Sequence, residues 1–600
     1  MNSPLPSNET ILAFGERIAW RTIEQQKRRF NEKLRELQQT AQGNEFPLDE
    51  LADACGTTLT TTSPTSERGN VILAHVGDAH YVIASFVSER YRFGKPLLRA
   101  IVPYNFNPSV NQTNIKETET GAATLRAIGA ELELGLYNRD GSPPTEAEVL
   151  AYADGYRTNA HRIGITPTVD REACAYQIEV HVAPGIGYHK TRQSLEGILR
   201  ALTETSRQTG LQTAILAAYP ILSDFKLTDD PKVHSAVDVM VEINRRFPEY
   251  EARRAAAIAR YHMQEGANAV EVFRNQGCHI HLDIAGRSES LALFTFHTLL
   301  RSATALANAA LLKGSPFVNG TCDPELLCTR EYLRQTTVTG RYLDMPISPH
   351  LQAQGLERYA NLITSERANA VARALLCDGS LGEDISVMHN PIGRIRPDLS
   401  PAKRICTMES TGMPVNVSAS RQAAALTDFE FTHLLLEQYY RKHGTNLEPM
   451  MDDKTLWAIV GPLSLDEFAR QQDLSDREGT DVVLETAAGT RMTLVEFYEM
   501  KRRYLHRTLA GVAGVLPRDI DDVYHSLNRM LEPPSGIVAQ TVEQYIYDPA
   551  CRSTGNWGKI LRNAFEEEGG VVGSHNPEAV LRVVNRVHDS LAKRYLKAEG

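Results

Sequence analysis

The stretch Gly129-Ala130-Glu131-Leu132-Glu133-Leu134 sets two carboxylates two residues apart, with leucines between and after them. Successive strand side chains point to opposite faces. As a strand, this segment carries Glu131 and Glu133 on one face and its leucines on the other. The alternation recurs downstream. In Tyr176-Gln177-Ile178-Glu179-Val180-His181-Val182, the residues Gln177, Glu179 and His181 share a face against apolar neighbours. In Gly277-Cys278-His279-Ile280-His281-Leu282-Asp283 the polar face carries His279, His281 and Asp283. Arg394-Ile395-Arg396 pairs two guanidiniums, and Arg404-Ile405-Cys406-Thr407-Met408-Glu409 puts Thr407 with Glu409.

A half-exposed antiparallel strand facing water would explain any one of these segments. The set reads differently. Solvated strand faces favour Thr, Ser, Lys and Arg, whereas the repeated types here are Glu and His, the ligands of divalent cations. If the strands lie in one sheet, its face concentrates Glu131, Glu133, Glu179, His279 and Glu409. Carboxylates that close repel one another unless a cation sits among them. Oxygen-dominated ligation suits Mg²⁺ or Mn²⁺ better than Zn²⁺. The chain has no GxxxxGK[ST] loop, GxSxG elbow or HExxH pair. Gly185-Ile186-Gly187 has Lys190 where a dinucleotide fingerprint needs its last glycine. A nucleotide would therefore be held by metals and cationic side chains.

The 600 residues allow up to about four domain-sized units. Hydrophobic residues make up 42% and charged residues 23%, an ordinary globular balance that excludes wholesale disorder. Lys+Arg is 64 against Asp+Glu 74, a net −10 that argues against a dedicated nucleic-acid binder. No run approaches 18 consecutive apolar residues, so no membrane span is expected. The opening MNSPLPSNET lacks a signal-peptide layout. Eight cysteines form no CxxC pair and read as buried thiols of a cytoplasmic protein.

Three regions are expected. Residues 1–120 hold a helix from Glu16 to about Gln39 and, after the Ser/Thr-rich stretch Thr57–Ser66, a hairpin turning at Gly77-Asp78. The helix carries a basic face interleaved with glutamates, read as a solvated surface. Residues 121–440 alternate the strands above with helices Lys190–Gln208, Ser235–Glu265 and Leu291–Lys313. Residues 441–600 are mainly helical, with a strand at Asp481–Glu485 and helices Leu494–Leu509, Ile520–Leu531 and Pro577–Lys597. The helical ends are read as oligomer contacts or covers for the site rather than independent functions.

The order of motifs GxExE (129–133), QxE (177–179), GxHxH (277–281), SPFxxG (315–320) followed by Arg330 and Arg334, and TxE (407–409) resembles the glutamate–cysteine ligase type 2 family. These are carboxylate–amine ligases within the glutamine synthetase-like superfamily. The resemblance spans about residues 121–440. It implies an α+β fold, with a curved antiparallel sheet forming a funnel backed by helices, and an ATP- and Mg²⁺- (or Mn²⁺-) dependent enzyme joining a small amino-acid carboxylate to an amine. By motif, Glu131, Glu133 and Glu179 would hold metal, His279 and Glu409 would complete a second metal position, and His281 would face the nucleotide beside Thr407. Arg330, Arg334, Arg394 and Arg396 would clamp phosphate and substrate carboxylate. Glu131, Glu179, Arg330 and Arg334 are the candidate catalytic groups. Relatives commonly carry an arginine two residues after the late glutamate; here that position is Thr411, so one cation is either missing or supplied elsewhere, with Arg404 as a candidate substitute. Two other readings use the same residues: a metal-dependent deamidase or isopeptide hydrolase, and a scaffold that keeps the fold without catalysis.

Overall fold

The computed structural model of the chain describes residues 125–166, 168–221, 226–229, 248–263, 273–284, 287–336 and 407–596, with strand segments at 57–61, 70–76, 79–85, 115–116 and 393–396. The expected N-terminal hairpin is present: β2 (Asn70–Val76) and β3 (Ala79–Ser85) pair antiparallel, with Val76 opposite Ala79. Part of the Ser/Thr stretch is itself a strand, β1 (Thr57–Thr61), paired with β2. Its β-branched threonines suit a pleated surface. The helix expected over Glu16–Gln39 lies outside the described residues. A short β4 (Ile115–Lys116) pairs in parallel with β10 (Arg287–Ser288).

The alternating segments form one sheet, open and antiparallel throughout. It comprises β5 (Ile128–Tyr137), β6 (Val169–Arg171), β7 (Gln177–Gly185), β8 (Gln212–Ala214), β9 (Cys278–Asp283), β13 (Gly393–Arg396) and β14 (Thr407–Ser410). The order is β13-β14-β9-β5-β7-β6, and β8 extends β5. A mixed fold of helices on an antiparallel sheet is therefore what the alternation implied. Between β10 and β13 lies a small hairpin, β11 (Phe317–Val318) with β12 (Thr321–Cys322).

Strand alternation sorts the side chains. Leu132, Leu134, Ile178, Val180, Ile280 and Leu282 are fully buried on one face. Each such side chain stabilises the fold by about 1.5–3 kcal/mol. This face is covered by α2 (Tyr188–Thr209) and by the 25-residue α7 (Ala419–His443), with α1 (Glu146–Arg162) packed on α2. Of the helix expected over Ser235–Glu265, the described part is α3 (Pro248–Arg260). The helix expected over Leu291–Lys313 is two, α4 (Glu289–Leu299) and α5 (Ala303–Leu312). At the break the Ser302 hydroxyl donates to the Leu299 carbonyl, and the Arg301 carbonyl accepts from the Leu463 N–H. A hydrogen bond from outside thus replaces the helical one. The five-residue α6 (Arg330–Arg334) follows.

Beyond residue 440 the chain is mainly helical: α8 (Leu465–Glu478), α9 (Leu494–Thr508), α10 (Pro517–Leu531), α11 (Trp557–Glu567) and α12 (Pro577–Leu596). The strand expected at Asp481–Glu485 is β15 (Val483–Glu485), paired with an unexpected partner, β16 (Arg491–Thr493), across Ala487-Ala488-Gly489. One hydrophobic core runs from Ile128 to Leu591. Polar contacts also bind the regions. The fully buried Asp428 of α7 accepts from Lys501 Nζ (2.7 Å), Asn308 Nδ2 (2.9 Å) and the Tyr524 hydroxyl. Arg139 and Asp589 form a two-bond ion pair.

Two outcomes follow from α7. Lys501→Met leaves the buried Asp428 without its cation, and should lower stability by about 3–5 kcal/mol, read as a lower urea midpoint. Glu430, also buried, accepts the Gly187 N–H at the start of α2 (3.1 Å), and burial pushes its carboxyl up to about 8. The folded protein therefore favours protonated Glu430. Its contribution is full below the ordinary glutamate value of 4.5 and is lost as pH rises through about 8. Melting temperatures across that window should fall more steeply for wild type than for Glu430→Gln; equal slopes would contradict the assignment.

Candidate functional site

The register of the sheet decides which ionisable groups meet. Glu131 of β5 lies opposite His181 of β7 on one side and His279 of β9 on the other. Glu133 faces Glu179 across β5 and β7, and Glu409 of β14 faces His281 of β9. The polar face thus carries Glu131, Glu133, Glu179, His279, His281 and Glu409 together, with Thr407 beside them. His279 Nδ1 lies 3.7 Å from both Glu131 Oε2 and Glu409 Oε1, and its Nε2 lies 3.5 Å from Glu133 Oε1. His281 Nε2 is 3.2 Å from Glu131 Oε2, and its Nδ1 is 3.1 Å from Thr407 Oγ1.

Charge and burial explain the perturbed groups. Burial would push the His279 imidazole down, but Glu133, Glu131 and Glu409 outweigh it and raise its pKa. Glu172, in the turn after β6, is raised well above the carboxylate range by burial and then by Glu179 and Glu133. Sequence reasoning missed Glu172, Asp170 and the role of His181 at the site's edge. A signal existed, since Asp170-Arg171-Glu172 repeats the alternation. The strand carrying it is only three residues long and lacks an apolar partner pattern.

The arginines stand at the other side of His279. Arg330 and Arg334 are both buried on α6 and share Glu331, at 2.7 and 3.1 Å. Burial alone would raise Glu331, but Arg334, Arg330 and then Lys313 hold it below its ordinary value. Arg330 Nη2 approaches His279 Nε2 to 3.5 Å, and Arg334 donates to the carbonyl of Thr411, the position where relatives commonly carry an arginine (3.0 Å). The substitute cation named from sequence, Arg404, lies outside the described residues. The backbone of β13 sets Arg394 opposite Glu409 and Arg396 opposite Thr407.

The donor set fits divalent cations. Three overlapping triads have ligand atoms within 4.8 Å of one another: Glu131–His279–Glu409, Glu133–Glu179–His279 and Glu131–Glu179–His181. Two buried ring nitrogens facing these carboxylates, His181 Nε2 and His281 Nε2, have no hydrogen-bond partner. Carboxylate oxygens and imidazole nitrogens are both ligands of divalent cations.

The sequence model of glutamate–cysteine ligase family 2 matches residues 127–340, the segment that carries β5 to α6 and most of these groups. The resemblance read from the motifs is thus borne out for this region. No curated protein matches the chain in sequence. Among solved structures, the chain is similar to glutamate–cysteine ligase from Francisella tularensis in complex with AMP, at 10% identity over 80% of this chain and 91% of that one (TM-score 0.44). It is also similar to a bifunctional glutathione synthetase from Pasteurella multocida, at 13% identity over 78% of this chain (TM-score 0.41); it spans only 53% of that protein's length. The ligase PafA in complex with the prokaryotic ubiquitin-like protein Pup aligns at 11% identity over 78% of this chain and 81% of that one (TM-score 0.36). No described helix is long and apolar enough to cross a membrane, and the five described cysteines are buried.

Gly277 locks the centre of the site. Its N–H donates to Glu133 Oε2 (2.5 Å), and its carbonyl accepts from the Glu133 N–H (2.9 Å). A Cβ there would meet Arg330 Nη2 at 2.6 Å, His279 Nε2 at 2.8 Å and Glu133 Oε2 at 3.0 Å. These are side-chain ends that can swing aside, so Gly277→Ala should fold but displace the cation ligands. Mn²⁺ affinity should drop about 10-fold or more by calorimetry; unchanged affinity would show that these side chains do not hold the ion.

Proposed function

We propose that the chain is an ATP-dependent carboxylate–amine ligase acting on a small-molecule amino acid and an amine. The bond formed is an amide, of γ-glutamyl type if the acid is the family's usual one. The observation that carries this reading is the convergence of four glutamates and two histidines on one sheet face beside two buried arginines, within the segment that matches glutamate–cysteine ligase family 2. In this reading residues 121–440 form the catalytic unit of a cytoplasmic enzyme, with 1–120 and 441–600 as added regions.

A carboxylate resists attack by an amine because it is anionic and lacks a leaving group. Transfer of the ATP γ-phosphoryl group gives an acyl phosphate, which a neutral amine attacks with loss of phosphate. Divalent cations, when bound, would neutralise phosphate charge. Glu131, Glu133, Glu179, His279 and Glu409 supply the ligands for them. His281 and Thr407, with the positions of Arg394 and Arg396, form the nucleotide side. Arg330 and Arg334 present guanidiniums fixed by Glu331 to an anionic oxygen, where a low-dielectric setting strengthens their pull. A site carboxylate takes the proton from the incoming ammonium group.

The test offers ATP, Mg²⁺ and panels of amino acids and amines, and measures ADP and phosphate release. Release should require both an acid and an amine, and should fall about 100-fold or more in Glu131→Gln and Glu179→Gln. Near-wild-type turnover in both variants would remove the metal-cluster reading. Product formation without ATP consumption would instead assign the hydrolase reading.

A further inference from the structure

The row of side chains that carries His281 and His279 continues past Gly277. Asn275 forms an antiparallel bridge with Ala218, and Gly277 forms one with Pro414, so the chain runs extended from Asn275 into β9. Residues two apart in such a run point to one side. Asn275 therefore stands on the side of Gly277 and His279, one step beyond the point where a Cβ would meet Arg330, His279 and Glu133. It is 8% exposed, and among the described residues neither its Oδ1 nor its Nδ2 has a hydrogen-bond partner.

The neighbouring rows change character at the same level. Glu133 faces Glu179, and two residues on Gly135 faces Gln177, so the carboxylate pair gives way to a glycine and an amide. Gln177 is used by the fold: its Nε2 donates to the carbonyls of Arg274 and Asn275 at 3.2 and 3.4 Å. Gln276, fully buried, covers Gly135. Its Oε1 accepts the Leu216 N–H (3.2 Å), and its Nε2 lies 2.6 Å from where a Cβ of Gly135 would stand. That nitrogen, too, has no partner among the described residues. Backbone bonds to Ala217 (3.0 Å) and Val415 (3.4 Å) fasten Gln276 on both flanks.

Buried amides normally have their donors and acceptors paired, because leaving them unmet is costly. Here the acceptor Asn275 Oδ1 and the donors Asn275 Nδ2 and Gln276 Nε2 are unmet on consecutive residues beside the site. An acceptor with two donor groups matches an ammonium and a carboxylate carried by one small molecule.

We propose that Asn275, assisted by Gln276, selects the acid substrate by binding the ammonium and carboxylate that this amino acid does not use in the reaction. The proposal rests on the ligase reading and adds a specificity-determining residue to it. The acid then lies at the Asn275 end of the row and the nucleotide at the His281–Thr407 end, with the cation ligands between them.

The experiment measures steady-state kinetics of the full chain with the amino acid that supports phosphate release, L-glutamate first. Its analogue without the amino group, glutarate for glutamate, is run beside it. Asn275→Leu keeps the volume and removes both unmet groups. It should raise KM for the amino acid about 10- to 100-fold and leave KM for ATP unchanged, while the melting temperature of the ligand-free protein stays level or rises. Asn275→Ala, which cannot overpack, decides the matter if the leucine variant folds poorly. Wild type should prefer the amino acid to its analogue about 10-fold or more in kcat/KM, and both variants should lose that preference. An unchanged KM for the amino acid in the variants, or no preference in wild type, overturns the proposal and leaves Asn275 as a structural amide. Wild-type protein that consumes ATP with no amino acid of the panel overturns the ligase reading itself, so the two failures are distinguishable.

Discussion

The direct opposition of Glu133 and Glu179 across β5 and β7 is the constraint on which this structure turns. Like charges facing each other on neighbouring strands destabilise a sheet, and here Glu131, Glu409 and Glu172 crowd the same face. The stabilisation comes from the opposite face. A one-residue slip of β5 would separate the carboxylates, but it would also turn Leu132 and Leu134 out of the core beneath α2 and α7. The apolar face therefore fixes the register that the polar face would reject by itself. A site of this kind needs a core able to hold it.

The arginine side is built with more distant material. Glu331, which both guanidiniums share, lies on α6 at the end of a segment braced from the C-terminal region. The Asp476 carbonyl of α8 accepts the N–H groups of Leu327 and Cys328 at 2.7 and 3.0 Å, and its carboxylate pairs with buried Lys313. Arg562 of α11 donates to the carbonyls of Asp323 and Leu326 at 3.0 and 3.1 Å. Asn576, just before α12, donates its N–H to the Gly320 carbonyl at the end of the SPFxxG segment (2.9 Å). Helices beyond residue 440 thus contact the backbone of the segment that leads into α6. The extra length of the chain contributes rigidity to the arginine segment as well as core.

Legibility in the sequence followed the period of the signal. The two-residue alternation in β5, β7, β9 and β14 is long enough to reveal both faces, and the sheet forms as that pattern implied. α2, α9, α10 and α12 were readable to within a few residues because their apolar stripes are sustained. Short elements were not. The break between α4 and α5 has its backbone partner, the Leu463 N–H on the Arg301 carbonyl, 162 positions away, and no local window contains it. β16 has three residues with intermediate or exposed side chains, so no apolar pattern marked it. Asp170 and Glu172 carried the right spacing on a strand too short to show its apolar side. His181 was visible as a face-sharing residue, but its relation to Glu131 is a matter of register between strands, which sequence alone does not supply.

Burial gives the site a direction. Side-chain exposure is 0% for Glu409, 11% for His279, 14% for Glu131, 16% for Glu179, 30% for His181 and 65% for Asp170. The electrostatic reach of a charge grows as water is excluded, so the Glu409–His279 end, next to Arg330, is where a fixed dipole or guanidinium acts most strongly on a reacting group. At the Asp170 end, water competes for the same charges and an ion exchanges more easily. Anionic chemistry that must be tightly stabilised belongs at the buried end, where Arg330 and Arg334 are already aligned by Glu331. On this sheet face depth, rather than residue identity, therefore sets how strongly a charge acts.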